Sequence, residues 1–72
     1  MVDHSLIGKS ATVTGKVGPG MVGEVAVHIR GGSESYFARL ADGTEVIEKG
    51  QQVVIVNAAA GRTVYVSAFG AL

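Results

Sequence analysis

Glycines at positions 8, 15, 18, 20, 23, 31, 32, 43, 50, 61 and 70 cut this chain into runs of strand length. The stretches between them are dominated by valine, with twelve copies. β-Branched side chains suit a pleated, half-buried surface and lose rotamer freedom in a helix. Short apolar runs between turn signals therefore point to a sandwich or a barrel.

The runs can be read one by one. Ser10 to Val17 places Ala11, Val13 and Val17 on one face, around Thr12, Thr14 and Lys16. After Gly18-Pro19-Gly20 comes a strict alternation in which Val25, Val27 and Ile29 interleave with Glu24, Ala26, His28 and Arg30. That period of two marks a strand with one buried face. Gly31-Gly32-Ser33 reads as a hairpin turn into Glu34 to Ala41, with Tyr36, Ala38 and Leu40 inward and Ser35, Phe37 and Arg39 outward. Gln52 to Asn57 is apolar on both faces, as in a central strand, and Arg62 to Ser67 points Val64 and Val66 inward. Thr44 to Lys49 is too short for a helix and is expected as a loop or a 3₁₀ turn with Ile47 facing in. Five strands without a substantial helix favour closure into a barrel, because an open sheet leaves two exposed edges.

The chain has 72 residues, enough for one domain and a small core. A chain this short buries only about 60% of its unfolded surface. Its apolar content of 47% excludes a disordered tail. Cysteine is absent, so neither a disulfide framework nor a thiolate zinc site reinforces the core. Six basic residues balance six acidic ones, without the basic excess of a dedicated nucleic-acid binder. No stretch reaches the ~18 apolar residues of a membrane-spanning helix. The expected organisation is a tail at residues 1–7, a barrel at 8–68 and a second tail at 69–72.

Several motifs fail on context. Gly18, Gly20 and Gly23 fit the G-x-G-x-x-G of dinucleotide-binding proteins, but an alternating strand follows where a helix should receive the pyrophosphate. Gly8-Lys9-Ser10 ends like a phosphate-binding loop, yet Asp3 stands where that loop needs its first glycine. His4 and His28 are too few for a metal site, and no serine has the surroundings of a nucleophile. No catalytic, cofactor-binding or metal-binding residue is assigned, and no small-molecule substrate is expected.

What remains is surface. If the second and third runs pair, His28, Phe37 and Arg39 share the outer face of one hairpin, where oligonucleotide-binding (OB) barrels stack bases. Aromatic and arginine side chains serve protein contact equally well. Met21 and Val22 add apolar side chains on a glycine-flanked loop, expected to be mobile. The candidate partner-binding surface is thus Met21, Val22, His28, Phe37 and Arg39. Single-stranded nucleic-acid binding through Phe37, His28 and Arg39 is the alternative, and self-association through a strand edge a further one.

From Leu6 to Val66 the chain resembles the soluble C-terminal domain of NfeD-like proteins. The resemblance rests on Leu6-Ile7-Gly8-Lys9, the Gly18-Pro19-Gly20 loop and Gly23-Glu24-Val25. It continues through Arg30-Gly31-Gly32-Ser33-Glu34-Ser35-Tyr36-Phe37-Ala38, Ile47-Glu48-Lys49-Gly50, Val53-Val54-Ile55-Val56 and Gly61-Arg62-Thr63-Val64. It implies an all-β fold, a small five-stranded OB-type barrel with little or no helix. It implies a domain carried behind membrane helices, expected on the cytoplasmic side, with a stomatin- or flotillin-like (SPFH) scaffold protein as partner. Some long relatives add a serine protease region. By that resemblance the chain looks like a domain excised from a longer protein, with Met1 added for expression. No catalytic residue carries over, and the resemblance does not imply the aromatic platform of nucleic-acid-binding barrels.

Overall fold

The computed structural model describes residues 4–68. Its strands are β1 (Ser10–Gly15), β2 (Gly23–Ile29), β3 (Gly32–Leu40), β4 (Gln52–Ala59) and β5 (Thr63–Ala68). They close into a barrel in the order β1-β2-β3-β5-β4, with β1 and β4 sealing the seam. All neighbours are antiparallel except β3 and β5, which run parallel from Phe37↔Thr63 to Leu40↔Val66. The expected all-β, five-stranded OB-type barrel is the observed fold.

Inward positions follow the sequence alternation. Ala11 and Val13, Val25 and Val27, Tyr36 and Ala38, Val53 and Ile55, and Val64 and Val66 form one buried cluster. Val17 joins it from beyond β1, because Val17 and Ile47 exchange backbone hydrogen bonds of 3.1 and 2.7 Å. That bridge holds Ile47 inward, as its apolar character predicts, and Thr44 to Lys49 needs no 3₁₀ turn to do so. The β4 run reaches Ala59, and its outer side is partly exposed. Val56 faces out, as alternation from Val53 and Ile55 requires, and the β4–β5 register shift passes the next inward position from Asn57 to Ala58.

Two segments outside the strands pack onto the barrel. The segment preceding the barrel is a 3₁₀ turn, His4–Leu6, whose Leu6 is only 4% exposed and belongs to the core. The Gly8 N–H donates to the Ile55 carbonyl (2.7 Å) and tethers this turn to β4. Burying an apolar Leu and pairing that N–H both favour this placement. The expected tail of residues 69–72, like residues 1–3, lies outside the described residues.

The other is the loop carrying Met21 and Val22, which a backbone hydrogen bond closes into a turn. The Met21 N–H donates to the Gly18 carbonyl (3.1 Å), Pro19 occupies the next position and Gly20 has φ +71°. Pro followed by a positive-φ Gly is the arrangement of a type II turn. Gly23 has a different task. A Cβ there would collide with the carbonyl oxygens of Gly15 and Lys16 and with Val17 Cγ2. The chain can start β2 against the end of β1 only because Gly23 has no side chain. All three glycines of the apparent dinucleotide motif thus serve the barrel: Gly20 in the turn, Gly18 beneath Met21 and Val46, Gly23 at the crossing.

Candidate interaction surface

The outer face of β3 carries Ser33, Ser35, Phe37 and Arg39, all exposed. Two neighbouring strands extend it. Across the antiparallel side Glu24 stands opposite Phe37, and Val22, one residue before the Gly23↔Ala38 pair, comes beside Arg39. Across the parallel side Thr63 stands beside Phe37 and Tyr65 beside Arg39. Arg39 is therefore ringed by apolar and aromatic groups drawn from three parts of the chain.

A groove of about 290 Å³ opens at this point, lined by Pro19, Met21, Arg39, Asp42 and Tyr65 among others. The Gly18–Met21 turn forms one side, and the Ser67 hydroxyl donates to Asp42 Oδ1 (2.9 Å) on the other. Behind Met21 stands Val46, since a Cβ on Gly18 would lie 3.3 Å from Met21 Sδ and 3.2 Å from Val46 Cγ2. Met21 (40% exposed), Val22 (48%), Phe37 (55%) and Val46 (42%) are large apolar side chains left in water around one cation. No described residue engages the Arg39 guanidinium in a hydrogen bond or ion pair.

Four of the five candidate residues thus gather on one surface. His28 does not join them. It lies on the same outer side of the hairpin but pairs with Ser33, four residues along β2 from the Glu24↔Phe37 pair. At the rise of an extended strand that is about 13 Å. The antiparallel register separates His28 from Phe37 and Arg39, although alternation alone puts all three on one side.

Three participants escape the sequence reading. Tyr65 alternates with inward Val64 and Val66, so its outward direction is legible, but only the parallel β3–β5 pairing shows that it meets Arg39. Val46 gives no signal of its own, because the Val17–Ile47 bridge is what brings its loop to Met21. At the other end of β3, the Arg62 guanidinium lies 4.6 Å from the centroid of the Tyr36 ring, and Arg62 Nη2 donates to the Ser35 carbonyl (2.9 Å). The Tyr36 hydroxyl donates to Glu34 Oε1 (2.8 Å). Arg62 holds φ +55°, the left-handed region that a non-glycine residue rarely enters.

Among the described residues no polar or charged side chain is buried, and no three His, Asp or Glu side chains stand close enough to share a metal ion. Nor is any helix among them long and apolar enough to cross a membrane.

Comparison with known proteins places the barrel. The family profile described as the NfeD C-terminal domain matches residues 10–67. The solution structure of the soluble domain of the NfeD protein YuaF from Bacillus subtilis is similar to it, with a TM-score of 0.78 and 25% sequence identity. That similarity covers 94% of this chain and 79% of the other. No curated protein matches. The family match runs from the first residue of β1 almost to the end of β5, and the chain belongs to the NfeD C-terminal domain family.

Proposed function

We propose that this domain is a non-catalytic interaction module that docks a protein partner on the Met21–Val22–Phe37–Arg39 surface. The observation that carries this reading is the exposed apolar cluster around an unengaged arginine, held on a closed barrel by a tight turn and a strand pairing. Exposed apolar side chains in a contiguous group, with an aromatic ring and a guanidinium at the centre, have the composition of an interface core. A surface already in place loses little conformational entropy on binding.

The partner is a stomatin- or flotillin-like membrane scaffold protein, as membership of the NfeD family and the sequence resemblance suggest. In the full-length protein the barrel is held at the membrane by segments outside this chain, on the cytoplasmic side. Single-stranded nucleic acid fits less well, because His28 stands apart from Phe37 and Arg39 and the charge is balanced. The test is a pull-down from native membranes with the domain as bait, beside an oligonucleotide titration of the same sample. Enrichment of a stomatin-like protein, lost in Phe37→Asp, supports the module. Salt-sensitive oligonucleotide binding without any protein partner overturns it.

A further inference from the structure

The barrel is closed, but β3 is longer than its contact with β5. The parallel ladder begins at Phe37, whose N–H donates to the Arg62 carbonyl (2.8 Å). Backbone groups alternate sides along a strand, so Ser35 and Ser33 turn their N–H and C=O the same way as Phe37. On that side β5 has not yet started, because the chain is still turning through Ala60, Gly61 and Arg62. Ser33 and Ser35 therefore present a short open edge, with β2 paired to their other side. Among the described residues the one group engaging this edge is Arg62 Nη2, on the Ser35 carbonyl (2.9 Å). Next to the edge lies a cleft of about 240 Å³, lined on β3 by Glu34 and Tyr36 rather than by the two serines, and elsewhere by Arg62, Leu6, Ala58 and Ala59 among others.

We infer that the Ser33–Ser35 edge of β3 accepts an extended, carboxylate-bearing segment of a partner polypeptide by strand addition, with Arg62 as the side chain that yields to it. Unpaired N–H and C=O groups in strand spacing specify an extended backbone and little else. The acidic side chain follows from Arg62. An incoming strand takes over the Ser35 carbonyl, and the displaced guanidinium needs another acceptor at the same place; a carboxylate binds it in paired geometry. Arg62 starts from a left-handed backbone conformation, φ +55°. A second copy of this chain fits less well. The two-fold pairing that engages both serines of each copy sets the two Glu34 carboxylates directly opposite, a repulsive cross-strand pair. The site lies about five residues along β3 from the Arg39 groove and stands or falls separately from the docking surface there.

Amide hydrogen exchange on the isotopically labelled 72-residue chain tests this, with the peptide acetyl-Thr-Val-Glu-Val-Thr-amide as probe. At a peptide concentration near ten times its Kd, the Ser33 and Ser35 amides should exchange about tenfold more slowly. The same peptide N-methylated at alternate residues should protect neither. Replacing its glutamate by lysine should weaken binding to the native chain, and this difference should shrink in Arg62→Gly, which suits the backbone angle and leaves no guanidinium to pair. Ser35→Pro, whose lost N–H faces away from β2, should keep the barrel's spectrum and abolish protection at Ser33. Protection absent at millimolar peptide with the barrel intact, equal binding of the N-methylated peptide, or a peptide-independent doubling of mass that protects the same amides would each overturn the proposal.

Discussion

A methyl group on Gly23 would have to share space with two backbone carbonyls and a core valine, none of which is the end of a flexible side chain that can move aside. Gly23→Ala is therefore expected to cost about 3 kcal/mol, as overpacking of a filled site does, seen as a lower urea midpoint. Gly20→Ala meets no neighbour and pays only for φ +71°, about 1 kcal/mol in the same measurement. Two glycines three residues apart thus separate a packing role from a backbone role. Arg62 offers a similar contrast. Arg62→Ala loses the contact with Tyr36 and the bond to Ser35 yet keeps a strained backbone, whereas Arg62→Gly relieves the strain. The glycine variant should be the more stable of the two by about 1 kcal/mol. Of these roles the sequence shows only that glycine and arginine stand at these positions. Which glycine is crowded depends on where β1 ends relative to β2, and a register shift after Val13 decides that.

At the scale of elements, alternation made β2 and β3 legible almost to the residue. Of the inward sets, Val25, Val27, Tyr36 and Ala38 are buried, whereas the strand-end members fall short: Ile29 is 39% exposed and Leu40 only partly buried; Phe37 and Arg39 point out. Alternation fails at the β4–β5 register shift, where the inward position passes from Asn57 to Ala58. Val17, on the inward face with Ala11 and Val13, is buried as alternation predicts, though an isolated bridge and not β1 holds it there. The same limit explains His28. Period two assigns a face but says nothing about distance along it, so three residues of one face became one candidate site when they are two. A sequence reading also could not join β3 to β5, since parallel partners are not chain neighbours. Ile55, fully buried on β4, tests the element directly. Ile55→Ala should cost about 3 kcal/mol, a large share of the roughly 5 kcal/mol expected for so small a domain, and should broaden or abolish cooperative thermal unfolding.

For the molecule as a whole, a small barrel without cysteine or metal ligands in its core has to spend nearly all its inward positions on packing, which leaves recognition to the outside. That division predicts a separation of effects. A double change of Met21 and Phe37 to serine should cost no more than about 2 kcal/mol, because the two are 40% and 55% exposed and neither belongs to the core, while removing partner binding. The central claim is that the surface around Arg39 is the docking site. Amide-resolved titration of the labelled chain with a purified stomatin-like protein tests it most directly. The account predicts that resonances of Met21, Val22, Phe37, Arg39 and Tyr65 shift or broaden together while those of His28 hold still, and that the double serine variant shows no response. Binding that perturbs residues away from this surface, or that the double serine variant retains, would contradict it.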